Sequence, residues 1–145
     1  AGRSDGNATV LVQSRYVNDQ NLLQLKNGNY LNFAKSLMEQ RQATNQPPYT
    51  FEATIKASSP KAQTNIEMLT YAKQFIDSSK CVLIGPIPAM QSKVRGSYHH
   101  HLLIQAKTRT GLNKLLVHLS DFLSKDKNNI SKKVRWSINV DPLEF

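Results

Sequence analysis

The chain has 145 residues, of which 39% are hydrophobic and 20% are charged, a composition that allows one modest core and excludes two large domains. Nineteen basic side chains against ten acidic ones give a net charge of +9. The excess lies in residues 80–145, which hold eleven basic and four acidic side chains. This charge favours nucleic acid, an anionic membrane surface or an acidic peptide as partner, or serves solubility alone.

A single cysteine, Cys81, excludes an internal disulfide and is typical of a buried thiol in a reducing compartment. No apolar run reaches the roughly 18 residues that a membrane span requires. We therefore expect a cytoplasmic protein without a membrane partner.

The first third of the chain predicts one strand and two helices. The β-branched run at 8–13 is typical of a strand, and because no partner strand lies nearby, we expect the chain to be a piece of a longer protein. A helix is predicted at 20–26 with Asn18 as its cap, and a second at 30–42 with one apolar face. The prolines at 47 and 48 then mark a domain boundary. We predict domains at 1–48 and 49–145.

From Thr50 onward the pattern alternates between strands and helices. Strands are predicted at 50–57, within 80–107 and at the C-terminal end, and the helices follow caps at Ser58 or Ser59 and at Thr108. Within 80–107 we expect a strand, a rigid turn at Pro86 and Pro88, a basic loop and a second strand. The order strand, helix, strand, strand, helix, strand predicts an α+β fold, a four-stranded split βαβ (ferredoxin-like) sheet with two helices on one face.

The sequence contains no complete catalytic motif for nucleotide hydrolysis and no CxxC or HExxH metal motif. Three consecutive histidines, His99 to His101, are the one tempting feature. Only His99 and His101 share a face of a strand, which supplies two metal ligands and no obvious third. We therefore predict no metal site and no cofactor in these residues.

Basic side chains are the more informative feature of the second half. A basic loop, and a last strand with alternating apolar residues, could together neutralise several phosphates without reading bases. Trp136 lies nearby but alternates toward the core, so we interpret it as packing. The predicted DNA-binding residues are Lys93, Arg95, Lys132, Lys133 and Arg135.

Several segments in order resemble one family. The runs VLIGPIPAMQSKVRG, LLIQAKTRTGL and KKVRWSINVDPLE are similar to the C-terminal end of the PriA family, the primosomal replication-restart helicases also called primosomal protein N′. AGRSDGNATVLVQS resembles the end of that family's last helicase motif with the strand after it, and LMEQRQATNQPPYT resembles the segment that joins helicase lobe and C-terminal domain. The resemblance spans essentially the whole chain.

The resemblance implies a parent enzyme that is an ATP-dependent 3′ to 5′ DNA helicase, binds forked and single-stranded DNA, and assembles the primosome with other proteins at stalled forks. ATP, magnesium and zinc are implied for the parent, whose phosphate-binding loop and cysteine-rich zinc insertion have no counterpart here. Arg3 matches the last arginine of the helicase motif, which would contact nucleotide phosphates in the parent only. We expect no catalysis by this piece alone.

The family also implies a protein partner, the single-stranded DNA-binding protein, whose tail is acidic and ends in an apolar residue with a free carboxylate. Arg109 follows the predicted cap Thr108, where a helix start already favours an anion. Lys107 precedes it and Asn113 lies one turn later. We predict that Lys107, Arg109 and Asn113 bind this tail, the alternative being that Arg109 is only a solvated cation. A ribosome-associated or structural RNA-binding split βαβ domain remains the competing hypothesis for the whole chain.

Overall fold

A computed structural model describes residues 9–127 and 129–142. It divides into two compact units, Ala1–Ala43 and Thr44–Phe145, and each is described by itself below. The predicted domain boundary after residue 48 stays a prediction. No helix in the described ranges is both long enough and apolar enough to cross a bilayer.

The first unit contains two helices, α1 (Gln20–Lys26) and α2 (Tyr30–Ala43). Asp19 caps α1, because its carboxylate accepts the amides of Asn21 and Leu22. The predicted cap Asn18 is therefore wrong by one residue, and a carboxylate at this position also suits the positive end of the helix. Neither helix has a fully buried residue.

The predicted first strand is not formed. Residues 9–13 are irregular and exposed, and the β-branched run alone does not make a strand, because a strand requires a neighbour for its backbone hydrogen bonds. Residue 8, where the prediction began, lies outside the described residues.

The second unit confirms the predicted fold class. Its elements are β1 (Phe51–Ser59), α3 (Ala62–Phe75), β2 (Cys81–Val94), β3 (Ser97–Ala106), α4 (Arg109–Ser124), a 3-10 turn (Ser131–Lys133) and β4 (Arg135–Val140). The sheet has the order β2-β3-β1-β4 with every neighbouring pair antiparallel. This is the split βαβ topology.

The core lies between one face of this sheet and the two helices. Alternate residues of β1 and β3 pair across the strands and are inaccessible to solvent, as are the inward residues of α3 and α4. The central members are Ala53, Ile55, Met68, Leu69, Leu102, Ile104, Leu112 and Leu119. Trp136 packs partly buried against this cluster, as predicted.

β2 differs from the prediction of a strand that ends at a rigid proline turn and is followed by a basic loop. Instead the strand continues past Pro86 and Pro88, and only Arg95 and Gly96 separate it from β3. Two register shifts accommodate the prolines: Gly85 and Pro86 together face Leu102, and four residues, 89–92, face one residue of β3. β2 is an edge strand, where a missing amide donor is tolerated.

The start of α3 also differs. β1 continues through Ser59, and the helix begins after Lys61, which gives no side-chain cap. The Ser59 hydroxyl instead donates to the Lys61 carbonyl oxygen at 2.7 Å. Sheet pairing with Tyr98 extends the strand to Ser59, so the local cap signal does not decide the boundary.

Candidate nucleic-acid and partner interface

Two of the predicted DNA-binding residues lie at the tip of the β2–β3 hairpin. Lys93 pairs in register with Tyr98, and its ammonium group lies 4.9 Å from the centre of the Tyr98 ring. Arg95 is the first residue of the two-residue turn and has a φ of 48°. Both side chains are exposed, so a tight hairpin, rather than a loop, presents these cations.

The other three predicted residues lie at the start of the opposite edge strand. Lys132 and Lys133 belong to the 3-10 turn, not to the last strand as predicted, because the strand begins at Arg135. Ser131 anchors this turn: its amide donates to Asp126 Oδ2 at 2.8 Å and its hydroxyl to the Leu123 carbonyl at 2.8 Å. The two lysines are thus exposed on a fixed turn.

The register places both groups at the same end of the sheet. Tyr98, the partner of Lys93, pairs with Ser59, while the neighbouring Ser58 pairs with Arg135. Lys93 and Arg135 are therefore separated by three strand spacings, about 14 Å of backbone. The arrangement gives one basic end of the sheet with cations at both edges.

The two groups differ in the face that they occupy. By alternation, Tyr98 and Lys93 belong to the helix-bearing side, whereas Arg135 belongs to the helix-free side. Lys56 shares that helix-free side, two positions from the Arg135 partner Ser58, and sequence reasoning missed it. The sequence shows Lys56 among the polar residues that alternate along β1, but only the β1–β4 pairing places Lys56 near Arg135.

The three histidines lie on alternate faces. His100 faces the core, where its Nδ1 lies 3.4 Å from Asn65 Nδ2, and His101 faces the helix-free side opposite Lys56. Burial lowers the pKa of both, helped by His99 for His100 and by Lys56 for His101. In the described ranges no three histidine, cysteine or carboxylate side chains are grouped to hold a metal ion.

Arg109 lies at the start of α4, and Thr108 caps this helix as predicted, since its hydroxyl accepts the Gly111 amide at 3.2 Å. The guanidinium of Arg109 donates to Asp141 Oδ2 at 2.8 Å, and its central carbon lies 4.8 Å from the centre of the Phe51 ring. The pair is half-exposed. The sequence did not predict this pair, because the proximity of Asp141 to Arg109 depends on tertiary structure.

The three predicted tail-binding residues do not form one group. Arg109 lies toward β1 and the end of β4, where Phe51 and Asp141 are, and Asn113 is exposed one turn further along α4. Lys107 instead lines a cavity toward β2, with Cys81 and Lys80. The first turn of α4 therefore separates Arg109, which contacts Phe51 and Asp141, from Lys107, which lines the cavity. Arg3 lies outside the described residues.

Comparison with known proteins identifies relatives over the whole chain. A family model described as the primosomal protein N C-terminal domain matches residues 42–143. The replication restart protein PriA of Haemophilus influenzae is 32% identical over 148 residues, which cover 100% of this chain and 20% of the relative. The protein of that name from Buchnera aphidicola of Acyrthosiphon pisum is 30% identical over 139 residues, 92% of this chain and 19% of the relative.

The chain thus spans about a fifth of the length of the curated relatives that it matches. Among solved structures, the de novo designed protein Foldit4 superposes with a TM-score of 0.48 at 9% identity, covering 64% of this chain and 97% of the design. That similarity is too low to carry an argument about function.

Proposed function

This chain belongs to the PriA family of primosomal proteins, and from that premise we propose that its second unit binds forked and single-stranded DNA for a helicase that restarts replication. The parent would be an ATP-dependent 3′ to 5′ helicase acting in the cytoplasm. ATP, magnesium and zinc would belong to polypeptide outside these 145 residues, and this piece alone would not catalyse a reaction.

The observation that carries the proposal is the basic end of the sheet, formed by Lys93, Arg95, Lys132, Lys133 and Arg135. All five side chains are exposed. None of them forms an ion pair within the described residues. Free cations at both sheet edges suit phosphates of a nucleic-acid backbone, and none of the five lies on a described α-helix, the element that commonly reads base edges in the major groove. We therefore expect weak binding without sequence preference.

A salt titration tests this proposal. The affinity of the chain for a forked oligonucleotide should fall linearly with salt on a logarithmic scale, because phosphate neutralisation releases counterions. Replacing Arg95 and Arg135 by alanine should lower that slope by roughly 1 to 2. Lys35→Ala, an equally exposed change in the first unit, should leave the slope unchanged. A flat salt dependence of the unaltered chain would remove the proposal.

A binding measurement with duplex RNA distinguishes the restart function from the competing RNA-binding hypothesis. If the chain binds duplex RNA as tightly as forked DNA, the ribosome-associated or RNA-binding alternative replaces the restart function. Phosphate contacts alone do not distinguish the two polymers, so the comparison uses strands of matched length and charge. We expect the fork to bind more tightly.

We also propose the two family roles that concern residues outside this DNA surface. Arg3→Ala should impair ATP turnover of the full-length parent and leave DNA binding by the 145-residue chain intact; unchanged turnover would show that the motif is misplaced. Arg109, with Asn113, is proposed to bind the tail of the single-stranded DNA-binding protein. Arg109→Ala in the full-length parent should lose tail binding and keep fork binding, and tail affinity equal to the unaltered protein would overturn that role.

A further inference from the structure

A cavity of about 540 Å³ lies on the side of α4 that faces β2 and the end of α3. Its volume falls within the range of pockets that bind small ligands. None of the residues proposed above to contact DNA lines it, and of the predicted tail-binding group only Lys107 does. The cavity is therefore a candidate for a separate activity.

The floor of the cavity is aliphatic. Ile76 and Ala106 are 6% and 8% exposed, and Leu115 packs against the core. Phe75 also lines the cavity, but its ring already stacks on Phe122 with a centroid distance of 4.2 Å and an angle of 11°. One face of that ring is thus occupied. The floor suits an aliphatic side chain better than a nucleobase, which binds best between free aromatic faces.

The rim of the cavity is cationic. Lys80, Lys107 and Lys114 line it against a single carboxylate, Asp77. Asp77 lies 3.5 Å from the ammonium group of Lys80 and accepts both the amide and the hydroxyl of Ser79. Lys107 and Lys114 form no ion pair with any described residue. Two free ammonium groups beside an aliphatic floor complement a ligand that joins carboxylates to an apolar side chain.

We propose that this cavity binds a short acidic peptide segment of a partner protein, with one aliphatic side chain on the floor and flanking carboxylates at Lys107 and Lys114. An amphipathic segment of this kind satisfies both parts of the site, since apolar burial supplies affinity and the charges supply orientation. DNA satisfies the rim alone, because the aliphatic floor offers no free aromatic face for a base. The site is independent of Arg109, which is held by Asp141 and Phe51 on the opposite side of the first turn of α4.

The test uses the 145-residue chain and a fluorescein-labelled pentapeptide with two acidic residues on each side of a leucine. Fluorescence anisotropy gives the affinity. Lys114→Glu should weaken binding about five- to tenfold, because it removes one attractive charge and adds a repulsive one. Lys61→Glu makes the same charge change at an exposed position before α3. It should change the affinity less than about twofold.

Cys81 supplies a second readout, because it is the only cysteine of the chain and lines the cavity. Saturating acidic peptide should slow alkylation of Cys81 by iodoacetamide at least fivefold, as measured by mass spectrometry. Peptides with alanine for the leucine, or with asparagines for the acidic residues, should protect weakly.

Three results would overturn the proposal. The first is equal binding of the asparagine peptide, the second is binding without protection of Cys81, and the third is loss of affinity in Lys61→Glu but not in Lys114→Glu. An oligothymidine that displaces the peptide and protects Cys81 equally well would assign the cavity to nucleic acid instead.

Discussion

The two faces of the sheet differ in what covers them. On the helix-covered face Ala53, Ile55 and Leu102 are fully buried among α3 and α4. On the helix-free face Thr54 and His101 are also buried, yet Thr54 Oγ1 and His101 Nδ1 have no hydrogen-bond partner among the described residues. Asn65 Oδ1, under the helix-covered face, also lacks a partner among the described residues, so the two faces differ in the apolar packing that stabilises the fold and not in whether they hold unbonded polar atoms.

The largest expected effect compares one isoleucine from each face. Ile55 is fully buried against the helices, whereas Ile84 on the helix-free face is 46% exposed. Ile55→Ala should lower the free energy of unfolding by about 2 to 5 kcal/mol, because it removes buried methylene groups and leaves a cavity. Ile84→Ala should cost less than about 1 kcal/mol, since much of its surface is already in water. Urea denaturation followed by circular dichroism measures both, and equal losses would contradict the division between the faces.

A smaller effect is expected at the bulge where Gly85 interrupts the edge strand. Gly85 has a φ of +122°, and a Cβ there would lie 2.7 Å from the carbonyl oxygen of His101. The Lys73 ammonium group, from α3, donates to the Gly85 carbonyl at 2.9 Å. The bulge is thus held from the helix-covered side while its strand presents Ile84 on the other. Gly85→Ala should cost about 2 to 3 kcal/mol through backbone strain and displacement of β3.

Gly96 gives the matched control for that change. It also has a positive φ, +81°, but a Cβ there meets no atom within 4 Å. Gly96→Ala should cost only about 1 kcal/mol, the penalty of the backbone conformation alone. If the two alanine variants unfold at the same urea concentration, close packing against His101 is not what requires glycine at residue 85.

The sequence predicted the covered face well and the edges poorly. Alternation in β1 and the helical spacing of apolar residues in α4 report burial directly, so residues such as Ile55 and Leu112 could be assigned to the core. Local signals failed where neighbours decide the structure. Two prolines predicted a turn, but an edge strand with bulges accommodates both.

For the candidate site, the sequence predicted which residues are exposed cations but not which residues contact them. The exposed cations could be chosen by residue type, and the strand order placed Lys93 and Arg135 on one sheet. The partners of Arg109 could not be predicted, because Phe51 and Asp141 are distant in sequence and meet it only through the β1–β4 pairing and the docking of α4. The cavity beside α4 depends in turn on how the end of α3 packs.

Each face of the sheet holds one buried histidine that makes stability depend on pH. Burial lowers the pKa of His100 on the covered face and of His101 on the helix-free face. In the unfolded chain both should titrate near the ordinary value of about 6.5. The unfolded state then binds more protons than the folded state, so stability is present above about pH 6.5 and is lost as the pH falls below it. His101→Gln should flatten this loss, and exposed His118→Gln should not; thermal unfolding between pH 7.5 and 5.5 measures both.

The smallest expected effect concerns the half-exposed pair at the β4 edge. Asp141 accepts from Arg109 at 2.8 Å with about half of each side chain in solvent, so Asp141→Asn should lower the free energy of unfolding by less than about 1 kcal/mol. The same change should have a larger consequence for binding. If Arg109 receives a carboxylate from a partner, Asp141 competes for its guanidinium, and removing the Asp141 charge should raise affinity for the tail of the single-stranded DNA-binding protein in the full-length parent. The control is Asp121→Asn, which removes a somewhat more exposed carboxylate on α4, paired with Lys125, and should leave tail affinity unchanged. A tail affinity that falls in Asp141→Asn would mean that Asp141 positions Arg109 for the tail instead of competing with it, because the guanidinium would then lose the partner that orients it over Phe51.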